Sequence, residues 1–280
     1  MPDVIEKLDH SLIQHGPDND RIYLMKLAPE DAGALPTRLK AMAEEKGYSK
    51  VFAKVPAGAE EGFLNVGFET EARAEGFFRG EQDAAFMGLF LKPWRRECGH
   101  AARVAAVVAA AKAKACPAPE IDFPDGYECR ICEPTDVQAM AEVYRVVFES
   151  YPFPIHDPAY LAETMAEHIH YFGVWADGRL VGLSSCETDP AAKNVEMTDF
   201  AVLPDQRGKS LAVALLGRME PFMREHDFRT AYTIARATSF GMNIAFARAG
   251  YAFGGTLINN THISGGFESM NVWCKPLAEA

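Results

Sequence analysis

A short basic turn and two carboxylates lie close together in the stretch 194–220, and together they could bind a phosphate and move a proton. The turn follows an apolar run that ends at Pro204, and from Leu211 onward apolar residues recur every three or four positions. A strand that enters a helix through such a turn presents unpaired backbone N–H groups and the positive end of the helix dipole, which attract anions. The residues predicted to form this anion site are Arg207, Gly208, Lys209, Ser210, Leu211 and Ala212. An ordinary strand-to-helix connection with solvated charges is the alternative.

The elements that must position this turn are predicted from hydrophobic periodicity and from turn residues. Residues 127–275 read as a strand, two helices, three strands, a helix, a strand, a helix and two strands. A proline-rich stretch at 116–126 follows an alanine-rich helix and marks a boundary. We therefore predict a first domain over 1–95, a helical linker over 96–126 and a second domain over 127–280.

The first domain carries a pattern that recurs in the second. Phe63-Leu-Asn-Val-Gly-Phe68 and Phe246-Ala-Arg-Ala-Gly-Tyr251 each end a predicted helix before a predicted strand. The glycine suits a left-handed helix C-terminus. We interpret residues 1–95 as a degenerate copy of the second fold without a recognisable phosphate turn, and we predict a short helix over 4–15. Two unrelated helix ends that share a common cap are the alternative.

Composition narrows the classes of function. The chain has 280 residues, 48% of them hydrophobic, and a formal charge of −11, which argues against a nucleic-acid or anionic-membrane surface and suits a small cationic substrate. No run reaches the ~20 apolar residues of a membrane span, and the N-terminus lacks the order of a signal peptide, so a cytoplasmic protein is predicted. Cys129 and Cys132 form a lone Cys-x-x-Cys without a second pair, and no metal site is predicted.

The turn also resembles a known motif. Val202-Leu-Pro-Asp-Gln-Arg-Gly-Lys-Ser-Leu-Ala212 is similar to the acetyl-coenzyme A signature of the GNAT superfamily of N-acetyltransferases, an Arg/Gln-x-x-Gly-x-Gly/Ala turn. Arg207 and Ala212 match, and Ser210 replaces the central glycine but could donate the same N–H if its dihedrals were helical. The element order of 127–275 is also the GNAT order. The resemblance implies an α/β (α+β) fold with a mixed central sheet flanked by helices, and acetyl-coenzyme A (acetyl-CoA) as the acetyl donor.

The resemblance further implies roles for single residues. Glu196 corresponds to the glutamate base of several GNAT enzymes; it would remove a proton from an ammonium whose ordinary pKa is ~10.4. Asp199 is the second candidate base, and strand alternation predicts it on the opposite face. The amides of Phe200, Ala201 and Val202 would hold the pantetheine and polarise the thioester. Either carboxylate could instead be solvated or paired.

The same comparison assigns a cofactor contact and leaves the general acid open. Asn243 matches an asparagine that contacts the cofactor. Family members often have a tyrosine at the position of Phe246, where it protonates the leaving thiolate. In this chain Tyr232 or Tyr251 could do so, or the thiolate could leave unassisted because a thiol pKa is only ~8.5.

A narrower resemblance covers nearly the whole chain. Segments including Tyr144–Ile155, Gly254–His262, Gly266–Trp273 and Lys54–Phe63 look like β-lysine N-acetyltransferases. This implies acetylation of the side-chain amine of β-lysine to Nε-acetyl-β-lysine, a compatible solute in osmoadaptation, with a lysine 2,3-aminomutase as pathway neighbour. The residues predicted to line the amine site are Glu149, Tyr151, Asp199, Asn259, Asn260 and Glu268, with Arg145 or Arg236 available for the substrate carboxylate.

Other functions fit the same residues. An acetyltransferase for lysine or a polyamine belongs to the same class. A non-catalytic acyl-CoA sensor is a different class, suggested by Phe246 and Ser210. A homodimer is one option for the assembly.

Overall fold

The computed structural model describes residues 3–115, 122–149, 151, 153–263 and 265–277. In chain order, the first half of this described chain contains β1 (Val4–Leu8), β2 (Ser11–Gly16), β3 (Arg21–Lys26), α1 (Leu35–Lys46), β4 (Lys50–Pro56), α2 (Glu60–Leu64), β5 (Glu69–Phe78), β6 (Gln82–Phe90), α3 (Pro93–Arg96) and α4 (Ala101–Ala113). The second half contains β7 (Tyr127–Ile131), α5 (Val137–Val147), α6 (Pro158–Glu167), β8 (Ile169–Ala176), β9 (Arg179–Asp189), β10 (Asn194–Val202), α7 (Leu211–Glu225), β11 (Thr230–Arg236), α8 (Phe240–Arg248), β12 (Ala252–Ile263) and β13 (Gly266–Pro276).

The strands form one mixed sheet in the order β1-β2-β3-β4-β6-β5-β12-β13-β11-β10-β9-β8-β7. The two halves of the chain meet where β12 pairs with β5, with Gly255 opposite Ala72. Glycine is required there, because a Cβ on Gly255 would lie 2.3 Å from the carbonyl oxygen of Glu71. The predicted fold class, a mixed sheet flanked by helices, is confirmed.

Strand order repeats on either side of this junction. Outward from it, β5-β6-β4-β3-β2 and β12-β13-β11-β10-β9 are joined by the same sequence of pairings, with one parallel pair in each, β3 with β4 and β10 with β11. The helix ends also correspond. The Phe68 amide donates to the Phe63 carbonyl at 3.2 Å, and the Tyr251 amide donates to the Phe246 carbonyl at 3.0 Å. In both pairs the ring centroids are 5.1 Å apart.

The sheet curls strongly, so that β4 faces β11. In sheet order these strands are separated by β6, β5, β12 and β13, and in a flat sheet they would lie ~24 Å apart. Yet Lys54 Nζ is 3.1 Å from the Tyr232 hydroxyl. Buried apolar side chains from both halves pack together on this inner side: Phe52, Ala72, Ala74, Phe77, Ala84, Phe86, Leu257, Met270, Val272 and Cys274, with the ring of Tyr232.

Two features of the first half and the linker bear on the sequence predictions. The helix predicted over 4–15 is wrong, because β1 and β2 form a hairpin there. The buried Ser11 hydroxyl donates to Asp31 at 2.6 Å, a partner 20 residues away that local pattern does not reveal. Of the predicted linker, residues 116–121 lie outside the described residues, and α4 packs on α8. None of the described helices combines the length and the apolarity needed to cross a bilayer.

Candidate active site

The strands β10 and β11 diverge after a short stretch of pairing and leave an opening between them. The two strands pair in parallel from Asn194 opposite Thr230 to Glu196 opposite Tyr232, and both continue beyond that pair without pairing with each other. The register of β10 against β9 shifts between Thr198 and Ala201, so β10 carries a bulge that bends it. Residues 197–202, which include the predicted pantetheine contacts Phe200, Ala201 and Val202, therefore line a gap between strands.

The predicted phosphate turn lies at the end of β10 and opens into α7. Among the described residues, none of the backbone N–H groups from Gly208 to Ala212 donates to another protein group. Gly208 has a φ of 83°, which glycine adopts without strain. Ser210 has φ 59° and ψ 21°, which is the left-handed conformation. A non-glycine residue in this left-handed conformation costs roughly 1–2 kcal/mol.

Basic side chains surround this turn. Lys209 Nζ is 2.7 Å from the Gln206 side-chain oxygen and also contacts the Tyr127 hydroxyl, while Arg207 Nε is 3.3 Å from the Val202 carbonyl. Arg248 of α8 reaches within 3.4 Å of the Ser210 hydroxyl, a contact that the sequence did not predict. The turn therefore combines five unpaired N–H groups with positive charge, which is the arrangement that binds a diphosphate.

Three carboxyl groups gather on one face of β9 and β10, beside the opening. Glu196 lies directly opposite Glu187, and directly opposite residues of an antiparallel pair share a face. Ser185, two residues before Glu187 and hence on the same face, donates to Asp199 at 2.8 Å. The prediction that Asp199 points to the opposite face from Glu196 is therefore wrong. The bulge is the cause, since Asp199 has a φ of 55° and breaks the strand alternation.

Burial changes the titration of this acidic group. It raises the pKa of Glu196 and of Asp199, and it raises that of Glu187 well above the ordinary value. Neighbouring carboxylates add to the rise in the pKa of Glu187 and of Glu196. The Lys54 ammonium and the Tyr232 hydroxyl act in the opposite direction on Glu196. A carboxylate whose pKa lies above its usual range is a better proton acceptor, and the group as a whole attracts a cation.

Of the three tyrosines predicted for the site, two lie beside the acidic group and the third lies elsewhere in the core. Tyr232 donates to Glu196 and accepts from Lys54 at 3.1 Å. The Tyr151 hydroxyl hydrogen-bonds Asp199. Tyr251, in contrast, is 3% exposed and packs in the core with its hydroxyl beside Glu220 of α7. The structure therefore brings Tyr232 and Tyr151 to the acidic group and leaves Tyr251 apart from it.

Several other residues predicted for substrate or cofactor have their hydrogen bonds elsewhere. Asn259 donates to the carbonyls of Arg95 and Glu97 at 3.0 and 2.9 Å, and these hydrogen bonds hold the end of α3 against β12. Glu268 forms an ion pair with Arg236, with Nε 2.7 Å from a carboxylate oxygen.

Three more residues complete this set. Glu149 is exposed, and Asn260 is buried with its carbonyl accepting from Arg21. The Asn243 amide donates to the carbonyls of Arg236 and Ser239. Its oxygen accepts from Asn271 and Trp273, so this side chain holds the start of α8.

Sequence reasoning missed three residues of the acidic group and its surroundings. Glu187 could have been found, because Glu187 and Glu196 lie equally far from the turn that joins β9 to β10. Lys54 and Tyr23 belong to β4 and β3, and no local sequence pattern predicts that they lie close to the acidic group. Lys54 Nζ lies 5.3 Å from the centre of the Tyr23 ring.

The described residues contain no group of three or more His, Cys, Asp or Glu side chains that could hold a metal ion. Cys129 lies on β7, and burial raises the pKa of its thiol to about 11. The thiol form is therefore favoured at neutral pH, which disfavours thiolate ligation.

Comparison with known proteins agrees with this geometry. Residues 138–251 match the family described as Acetyltransferase (GNAT) family. The chain is 40% identical over 98% of its length, and 99% of the relative, to a beta-lysine N(6)-acetyltransferase of Methanococcus maripaludis. It is 43% identical to the enzyme of that name from Methanosarcina mazei, over 55% of this chain and 57% of the relative. It is 32% identical to the N-acetyltransferase YodP of Bacillus subtilis, over 95% and 96% of the two chains. The expected family is thus confirmed: this chain belongs to the GNAT family of acetyltransferases and is an acetyl-transferring enzyme whose donor is acetyl-CoA.

Proposed function

We propose that this enzyme acetylates the side-chain amine of β-lysine and forms Nε-acetyl-β-lysine. The observation that carries the proposal is the acidic group of Glu187, Glu196 and Asp199 beside the opening between β10 and β11. Such a group suits a substrate with two ammonium groups. Two relatives at 40% and 43% identity carry the name of a β-lysine N(6)-acetyltransferase, which supports the same substrate.

The donor site follows from the turn and the opening. The N–H groups of residues 208–212, with Arg207 and Lys209, hold the diphosphate of acetyl-CoA. The pantetheine arm lies along 197–202, where a strand amide polarises the thioester carbonyl. Hydrogen bonds that strengthen as the carbonyl oxygen gains charge lower the barrier for acyl transfer.

The chemical step needs a neutral amine. Glu196 accepts a proton from the substrate ammonium, directly or through a water molecule, and the freed nitrogen lone pair attacks the thioester carbon. The tetrahedral intermediate then collapses: the carbon–sulfur bond breaks, and the nitrogen releases its second proton to solvent water, which leaves the neutral amide. The thiolate takes a proton from the Glu196–Tyr232 pair, so Tyr232 replaces the tyrosine that the family often has at the position of Phe246.

The charge of the proposed product is consistent with a role as a compatible solute. Acetylation removes one positive charge from β-lysine and leaves a zwitterion without net charge, the kind of molecule that serves as a compatible solute. A lysine 2,3-aminomutase would supply the substrate, and the reaction would take place in the cytoplasm. The first half of the chain is, in this proposal, a degenerate copy of the catalytic fold.

The test is incubation of purified protein with acetyl-CoA and β-lysine, with the product identified by mass spectrometry. We expect one acetyl group on the side-chain nitrogen and a higher kcat/KM for β-lysine than for lysine or spermidine. A preference for lysine or spermidine would assign the other small-amine function. Tight acetyl-CoA binding without an acetylated product from any amine would favour an acyl-CoA sensor.

A further inference from the structure

The substrate proposed above carries a carboxylate as well as two amines, and the inference here rests on that proposed function. A carboxylate placed near Glu187, Glu196 and Asp199 would be repelled by like charge. A site that selects a diamino acid therefore needs a cation that faces the acidic group.

Both arginines considered from the sequence are engaged elsewhere. Arg236 Nε lies 2.7 Å from Glu268, and this ion pair is at the end of β11 away from Glu196. Arg145 is exposed on α5 and donates to the His156 carbonyl at 2.6 Å. Neither side chain contributes positive charge to the acidic group.

Lys54 does face the acidic group, although it belongs to the first half of the chain. Its Nζ is 3.1 Å from the Tyr232 hydroxyl, and that hydroxyl in turn donates to Glu196. Burial acts to lower the pKa of Lys54, but Tyr23 and Glu196 raise it more, so the pKa lies above its ordinary value and the ammonium stays charged. An ammonium has three N–H donors; the Tyr232 hydroxyl accepts one of them, and the centre of the Tyr23 ring lies 5.3 Å from Nζ.

The spacing fits the substrate. Two consecutive hydrogen bonds of ~3 Å, from Lys54 to Tyr232 and from Tyr232 to Glu196, correspond to roughly 6 Å between Lys54 Nζ and the Glu196 carboxylate. In extended β-lysine, bond lengths of ~1.5 Å put the carboxylate roughly 7 Å from the side-chain nitrogen. A substrate whose side-chain amine is at Glu196 can thus reach Lys54 with its carboxylate.

We propose that Lys54 binds the carboxylate of the substrate and makes the enzyme select diamino acids over diamines. The first half of the chain then contributes a specificity residue to the active site of the second half.

The experiment compares β-lysine with 1,4-diaminopentane, which is β-lysine without its carboxylate, in wild type, Lys54→Met and Lys54→Arg. Methionine keeps the length of the side chain and removes its charge. For Lys54→Met we expect kcat/KM for β-lysine to fall about 10- to 100-fold, mainly through KM, because a charge-assisted hydrogen bond is lost. We expect kcat/KM for 1,4-diaminopentane to change less than about threefold, and Lys54→Arg to recover much of the loss with β-lysine.

The matched control is Lys26→Met, because Lys26 lies on β3 and pairs on the surface with Asp189 at 3.0 Å. It should leave both rates unchanged. Acetyl-CoA affinity and melting temperature, measured for every variant, report whether the fold is intact.

Three results would overturn the inference. Equal losses with both amines would mean that Lys54 acts through Glu196 and not on the carboxylate. Unchanged rates with both amines would remove any role for Lys54. A wild-type enzyme that acetylates 1,4-diaminopentane as well as β-lysine would also refute it, yet leave acetyl transfer to β-lysine intact. A wild-type enzyme without turnover of β-lysine would refute the proposed function itself, and the inference with it.

Discussion

The turn between β3 and α1 occupies the place in the first half that the turn between β10 and α7 occupies in the second. The first turn contains Glu30 and Asp31, and the Asp31 carboxylate accepts from the Ser11 hydroxyl at 2.6 Å and from the His10 amide at 3.0 Å. The second turn contains Arg207 and Lys209 beside unpaired N–H groups. An acidic turn repels a diphosphate, so only the second turn suits acetyl-CoA.

The parallel strand pairs differ in the same way. The parallel ladder of β3 with β4 corresponds to that of β10 with β11. Tyr23 belongs to the third pair of the first ladder, and Glu196 belongs to the third pair of the second. Gln14, opposite Tyr23, stands where Glu187 does. The framework is shared while the chemistry is not, which illustrates that function belongs to a site and not to a fold. The first half instead places Tyr23 and Lys54 beside the acidic group.

Buried charged groups link β4 and β5 of the first half to β12 of the second half. The buried Lys50 and Glu71 form an ion pair at 2.7 Å, and Lys50 also donates to the Ile258 carbonyl of β12 at 2.8 Å. The Ile258 amide donates to Glu71. A buried pair is costly to break on one side.

The largest effect should follow from removing the first half altogether. A chain of residues 127–280 would lose the pairing of β12 with β5, expose the apolar cluster that contains Leu257 and Val272, and lack Lys54. We expect it to aggregate and to be inactive, measured by size-exclusion chromatography and product formation. A monomeric fragment with full activity would refute the view that the two halves work as a unit.

Glu196→Gln removes the proposed base, which has no counterpart in the first half. We expect kcat to fall about 10²- to 10⁴-fold at neutral pH, the usual contribution of a general base. In wild type, kcat/KM should decline as the pH falls through the pKa of Glu196, and that pKa should lie above the ordinary carboxyl value because the group is buried. The variant should lack this decline.

The control is Glu30→Gln in the first turn, which should leave both the rate and the pH profile unchanged. A Glu196→Gln enzyme with wild-type kcat would assign the base elsewhere, and Asp199→Asn would then be the next variant to measure.

Gly208→Ala and Gly33→Ala compare the two turns directly. Neither added Cβ would meet another atom within 4 Å, but Gly208 has a φ of 83°. Only Gly208→Ala should therefore strain the backbone, by roughly 1–2 kcal/mol, and weaken acetyl-CoA binding about 5- to 30-fold. Isothermal titration calorimetry measures both variants, and equal affinities would contradict a special role for the second turn.

Glu187→Gln makes the second half resemble the first at one position and should have the smallest effect on the fold. Burial raises the pKa of Glu187 well above its unfolded value, so its carboxyl stabilises the fold at low pH, and this contribution is lost as the pH rises through the folded pKa. The variant should therefore melt at a higher temperature than wild type at pH 8, and the difference should vanish near pH 4.5. A lower melting temperature at pH 8 would contradict this reasoning.

Local pattern was sufficient for β10 and for the start of α7. The apolar run before Pro204 predicted a strand, which the structure has as Asn194–Val202, and apolar spacing predicted a helix from Leu211. The motif also located the glycine at 208, whose positive φ agrees with a turn that approaches a ligand.

What the sequence could not predict depends on distant contacts or on special backbone angles. The positive φ of Asp199 moves its side chain to the face of Glu196, and strand alternation alone predicts the reverse. Lys54 reaches Tyr232 because the whole sheet curls, which is a property of many strands together. The left-handed conformation of Ser210 is unusual for serine and became visible only in the structure.

The most direct measurement is a crystal structure of the protein with coenzyme A bound. We expect diphosphate oxygens ~3 Å from the N–H groups of residues 208–212 and the pantetheine arm between β10 and β11, with nothing bound at Glu30 and Asp31. A diphosphate in the first half, or an unoccupied turn at 207–212 with coenzyme A elsewhere, would contradict it.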